Sequence, residues 1–154
     1  MRENVVRRSD PQPRLNGGAF AYYPRLSAVA EYVGAHLTDR ITLAAASQVA
    51  GLERKYFSVY FRSKVGISFS EWLHSLRVTR AKELMEVRDA SIPRLAYASG
   101  FHDVRTFERA FKRFVGMPPA TYRASVRPDG GTLAQGARPV SRQSPQAARH
   151  VRMR

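Results

Sequence analysis

The chain has 154 residues, 44% of them hydrophobic, and sets 26 Lys and Arg against 12 Asp and Glu for a formal charge of +14; its length suits one ordinary domain with tails, and its basicity suits a nucleic-acid partner. The absence of cysteine removes disulfides, thiolate zinc sites and cysteine nucleophiles, and His36, His74, His102 and His150 show no paired metal-ligand spacing, so neither metal nor cofactor is expected. No apolar run approaches the roughly 18 residues of a spanning helix, and MRENVVRRSDPQPR lacks the apolar stretch of a secretory signal, so no membrane partner is expected and the protein reads as cytoplasmic and nucleoid-associated.

Residues 1–23, with Pro11, Pro13, Gly17, Gly18 and scattered charge, read as a flexible leader. Residues 24–124 read as all-α, with seven helices and 16 basic against nine acidic side chains. Pro24 suits the first position of a helix whose apolar residues Leu26, Val29, Ala30, Val33 and Leu37 keep helical spacing to near Asp39. Thr42 suits the N-cap of a short second helix, Leu43 to Val49, which Gly51 turns into a third, Arg54 to Val65, stopped by Gly66.

Ser68, with Glu71 three residues on, forms the capping box of a long fourth helix to about Arg88. Its Trp72, Leu73, Leu76, Ala81, Leu84 and Met85 share a buried face, and Arg77, Arg80 and Lys82 make it cationic. Its length is roughly 30 Å, close to the roughly 34 Å between successive major grooves on one face of DNA. A fifth helix follows Ser91 and Pro93 to Ser99, Asp103 caps a sixth ending at Val115, and Pro118-Pro119 opens a last turn through Tyr122. The remaining 125–154, six arginines and one aspartate among Pro, Gly, Gln and Ser, read as a disordered basic tail, its functional alternative being an arm that touches phosphate.

One unit recurs at a spacing of 50 residues. Phe57, Phe61, Val65 and Gly66 of FSVYFRSKVG match Phe107, Phe111, Val115 and Gly116 of FERAFKRFVG, and each copy follows an alanine-rich stretch ending in glycine, Gly51 or Gly100. Short helix, glycine turn and basic helix is the pattern of a helix-turn-helix, whose second helix enters the major groove. Two copies in one chain suggest a monomer reading two grooves. The copies differ by one residue, since Gly51 precedes Phe57 by six positions and Gly100 precedes Phe107 by seven.

SIPRLAYASGFHDVRTFERAFKRFVGMPPATYR, residues 91–123, resembles the signature of the AraC/XylS family of bacterial transcription regulators, and SEWLHSLRVTRAKELM, residues 70–85, is similar to the family's linker helix. The resemblance covers residues 24–124 and implies one helix-turn-helix subdomain over 24–66, a linker helix over 68–88 and a second subdomain over 91–124. With only 23 residues before the first helix, the chain is similar to stand-alone members that lack a ligand-sensing domain.

On the second recognition helix Phe107, Phe111 and Phe114 face inward by spacing, which sets Arg105, Arg109 and Lys112 along the opposite side. By the resemblance Val104, Arg105 and Arg109 fall at groove-reading positions, where arginine can donate two bonds to guanine and valine can meet a thymine methyl. Lys112 and Arg113 suit phosphate. On the first recognition helix Lys55, Ser58 and Val59 are the base readers and Arg62 a phosphate contact, a weaker set because many relatives carry arginine where Val59 stands. Glu53 there replaces the Ser or Thr that caps better. Trp72, Tyr97 and Tyr122 fall at core spacings.

These readings describe a sequence-specific regulator of double-stranded promoter DNA, an activator by the common behaviour of the family, with RNA polymerase as partner. The alternatives are a non-specific nucleoid-like DNA- or RNA-binding protein driven by charge, and a partner-binding adaptor. Paired carboxylates, a nucleophile with its base and a phosphate loop are all missing at usable spacing, so the protein is not expected to be an enzyme.

Overall fold

A computed structural model describes residues 14–127, which contain eight helices and no strand. They are α1 (Ala19–Tyr22), α2 (Pro24–Ala35), α3 (Leu43–Val49), α4 (Arg54–Val65), α5 (Phe69–Val87), α6 (Ile92–Ala98), α7 (Val104–Val115) and α8 (Pro119–Val126). The all-α reading holds, with one helix more than the seven expected.

The extra helix corrects the leader. Residues 14–23 pack on the first subdomain: Ala19 is buried and the Phe20 ring stacks on Trp72 at 4.7 Å. Ahead of α1, the Asn16 amide donates to Val65 O at 2.9 Å and its side chain to Lys64 O at 3.2 Å, satisfying carbonyls that the end of α4 leaves unpaired. Gly66 permits this close approach. Its φ of +91° closes α4 in the left-handed region, and a Cβ there would lie 2.7 Å from Arg14 O. At the other end α8 runs to Val126, past the expected boundary at 124. Residues 1–13 of the leader and 128–154 of the tail lie outside the described residues.

Two separate cores follow from the repeat. Leu26, Val29, Val33, Phe57, Phe61 and Val65 gather with Phe69, Trp72 and Leu73 from the first half of α5. Leu95, Phe101, Phe107, Ala110 and Phe111 gather with Val78, Ala81, Leu84 and Met85 from its second half. One helix of 19 residues thus roots in both subdomains, about 28 Å long at 1.5 Å per residue. Its capping box forms as read: Ser68 Oγ accepts from the Glu71 amide, and Glu71 Oε2 accepts from the Ser68 amide.

Three side chains depart from their expected faces. Arg77, expected to help make α5 cationic, is buried, and it donates from Nε to Leu37 O at 3.0 Å and from Nη2 to Asp39 O at 2.8 Å. The segment after α2 ends in carbonyls that need donors, and the arginine fork supplies two. Phe114 is 40% exposed rather than inward, because three residues beyond Phe111 the helix has turned past the core. Tyr97 is 55% exposed, since Leu95 and Ala96 already fill the inward side of α6.

Candidate nucleic-acid interface

The two helix-turn-helix units share their turn chemistry. In the first, the Gly51 amide donates to Gln48 O and the Leu52 amide to Ser47 O; in the second, Gly100 donates to Tyr97 O and Phe101 to Ala96 O, all at 3.0 Å. This pair of bonds reverses the chain at the end of a helix and delivers the next one at a fixed angle. In the first unit Arg25 of α2 also donates from Nη1 to Ala50 O at 3.1 Å and Gly51 O at 3.0 Å, bracing the turn from outside. The extra residue of the second copy falls between the glycine and the helix cap, Glu53 against Asp103.

Each second helix is seated by a fully buried phenylalanine pair, Phe57 and Phe61 on α4, Phe107 and Phe111 on α7, with centroids 5.6 and 5.5 Å apart. Anchoring one side fixes what the other presents. On α7, Arg105, Arg109 and Lys112 are exposed and Val104 is partly exposed at the helix start. Arg109 Nη2 donates to Thr106 Oγ1 at 3.4 Å, and among the described residues neither Arg105 nor Arg109 is in an ion pair. On α4, Lys55 and Arg62 are exposed, Ser58 is partly buried and Val59 is 65% exposed. Three turns of helix therefore place Val104, Arg105, Arg109 and Lys112 on one face, and Lys55, Ser58, Val59 and Arg62 on another.

Arg113 has a partner that its position in the sequence does not reveal. Its Nη2 pairs with Glu71 Oε1 at the start of α5, so its charge is directed across the subdomain boundary. The Glu71 carboxyl is held below the usual carboxylate range, first by the Ser68 amide and, more weakly, by Arg113.

Both recognition helices begin with a carboxylate. Glu53 Oε2 accepts from the amides of Lys55 at 2.8 Å and Tyr56 at 3.0 Å, and Asp103 Oδ1 accepts from Thr106 at 2.7 Å. These backbone bonds lower both carboxyls below their ordinary values. Glu53 is thus an effective cap at a position where Ser or Thr is expected to cap better, because its longer side chain folds back far enough to reach two amides. With those amides occupied and the dipole already met by an anion, neither helix start is arranged as an anion site.

Sequence reasoning missed an aromatic row beside α4. Tyr22 meets Tyr23 at 4.8 Å, Tyr23 meets Tyr60 at 6.2 Å, Tyr60 meets Tyr56 at 6.2 Å, and Lys64 lies over the Tyr23 ring at 5.0 Å. The run FAYY ahead of Pro24 was its visible trace. His74 of α5 was also passed over. It is half-buried against Phe101, 5.4 Å between centroids, and burial first, then Arg77 and Arg109, lower its pKa. Among the described residues no three His, Cys, Asp or Glu cluster as metal ligands, and no helix is long and apolar enough to cross a membrane.

A family-wide sequence profile described as "Helix-turn-helix domain" matches residues 46–125. The Probable transcriptional regulator LumQ of Photobacterium leiognathi is 32% identical over 96 residues, 62% of this chain and 39% of its own length. The solved DNA-binding domain of AdpA, a global transcriptional factor, in complex with a target DNA is 30% identical, with a TM-score of 0.61 over 66% of this chain and 92% of that one. An AraC-type regulator from Chromobacterium violaceum, 21% identical, shares the fold at a TM-score of 0.62, over 69% of this chain and 95% of that one. The chain spans less than half the length of the curated relatives it matches.

Proposed function

The chain belongs to the AraC-type family of helix-turn-helix DNA-binding regulators, and from that membership we propose that it is a sequence-specific transcription regulator that lays α4 and α7 into adjacent major grooves of promoter DNA as a monomer. The observation that carries this reading is the exposed cationic row Arg105, Arg109 and Lys112, without ion pairs among the described residues, on a helix whose opposite side is locked by Phe107 and Phe111. An exposed arginine on a fixed helix can offer both donors of its fork to guanine, which is direct base readout. Val104, Arg105 and Arg109 read bases, Lys112 holds phosphate, and Arg113 does so only when released from Glu71. The first head reads less, through Lys55, Ser58 and Val59, with Arg62 on phosphate. Activation through contact with RNA polymerase is the mode we propose.

The rival favoured by a specific observation, the charge of +14, is a non-specific nucleic-acid binder. Selection of sites by the purified protein from a randomised duplex pool at about 150 mM salt, near physiological ionic strength, separates the two. Two sequence blocks about one helical turn apart, sharper under α7, are expected; enrichment without a motif would leave charge alone as the cause of binding.

A further inference from the structure

The two reading heads meet at a junction of three elements. Arg77, in the middle of α5, belongs by sequence to neither core. Its guanidinium donates to Leu37 O and Asp39 O of the first subdomain. Against the same spot sits Gly100, the turn glycine of the second subdomain, with φ +94°. A Cβ on Gly100 would collide with Leu37 O, lie 2.9 Å from Arg77 Nε and 3.0 Å from Thr38 Cα. Backbone of one head therefore touches backbone of the other, with the arginine wedged beside the contact.

Two neighbouring ties lie on the same helix at intervals of three residues: Glu71 to Arg113 of α7, and His74 against Phe101. The N-terminal half of α5, whose apolar residues serve the first core, thus uses its polar positions to hold the second.

We propose that Arg77 and Gly100 fix the angle between the two heads and so set the one spacing of half-sites that the protein accepts. Arg77 is a positioning residue in this scheme, and the inference rests on the two-groove reading above. Linked binding modules gain affinity over either alone, on the order of 10²–10⁴, only when geometry lets both engage. Each added base pair of spacer rotates one half-site by about 34° relative to the other, a mismatch a rigid junction cannot absorb. A loosened junction trades some affinity at the best spacing for tolerance at its neighbours.

The test measures binding of the full chain to duplexes carrying the selected blocks at the natural spacing and with one base pair added or removed, and to each block alone. The wild type is expected to lose about 10-fold or more on either change, within the range that loss of a second linked contact allows. Arg77→Lys, which keeps the charge on a single nitrogen but not the fork, is expected to retain the wild-type helical circular dichroism, bind single blocks as the wild type does, and lose less than about 3-fold on the same changes. Gly100→Ala should move the preferred spacing. If the wild type binds no block selectively, the two-groove reading itself fails. If it binds blocks but accepts all three spacings, or if Arg77→Lys keeps the wild-type spacing profile, the junction does not set spacing. Loss of the wild-type helical circular dichroism by Arg77→Lys at the assay temperature also counts against the proposal, since Arg77 would then be needed for folding rather than for the angle.

Discussion

Replacing Phe111 with alanine should separate the two halves of this protein energetically. Phe111 is fully buried, with Phe107 and Tyr122 each 5.5 Å away, centroid to centroid. Truncating such a residue costs about 3–5 kcal/mol in lost transfer energy and cavity. The second core rests on about 50 residues, and at typical values per residue that supports roughly 3–8 kcal/mol of stability. The variant is therefore left near the edge of unfolding in its second subdomain. The first core shares no buried side chain with it. Trp72, the single tryptophan, lies in the first core between Phe20, Phe61 and Phe69, so its fluorescence reports on that half alone. In a urea titration of Phe111→Ala, helical circular dichroism should fall at low denaturant while Trp72 emission holds, and both should fall together only later. A single transition seen identically by both probes would refute the independence of the cores. Unchanged melting would refute the burial of Phe111.

Arg109→Ala should cost about 1–3 kcal/mol on a selected site and relax base preference there, while Lys112→Ala should weaken all duplexes alike and flatten the salt dependence; equal, sequence-independent losses from both would contradict base reading by Arg109. Glu71→Gln keeps an acceptor for the Ser68 amide but frees Arg113, so the slope of log affinity against log salt should steepen by about one, as measured by fluorescence anisotropy. His74 has its pKa lowered on folding, chiefly by burial and then by Arg77 and Arg109, with Asp103 and Glu71 opposing. The unfolded chain therefore binds more protons just below about pH 6.5, and the stability contributed by neutral His74 is complete above that pH and lost as pH falls toward the folded value. Melting temperature should drop on acidification from pH 7 toward 5, and His74→Gln should remove that part of the drop.

The repeat, the turn glycines, the caps Thr42, Ser68, Ser91 and Asp103, and the bounds of α3, α4 and α7 were legible because each rests on residues close in sequence. So was the cationic side of α7, which follows from the spacing of two phenylalanines. What escaped depends on contacts between distant segments. Asn16 meets Val65 across 49 positions, Arg77 meets Leu37 across 40 and Arg113 meets Glu71 across 42. An arginine at a helical spacing reads as surface until the chain folds back to bring it carbonyls, as with Arg77, or a carboxylate, as with Arg113. Phe114 erred the other way: an apolar residue at i+3 reads as core, yet the core was full after Phe111.

Under the proposed two-groove reading, the carboxylates that cap α4 and α7 have a consequence for the search along DNA. Glu53 and Asp103 place a negative charge at the first turn of α4 and α7. If α4 and α7 enter the grooves as proposed, these two carboxylates oppose part of the attraction that a chain of charge +14 has for any duplex, at positions where no base contact compensates on random sequence. On that reading the caps would act on the dissociation rate from wrong sequences rather than on affinity for the right one. Asp103→Asn, which keeps an acceptor for the Thr106 amide but not the charge, should linger on random duplex in single-molecule traces, and an unchanged dwell time would remove the cap from any part in the search.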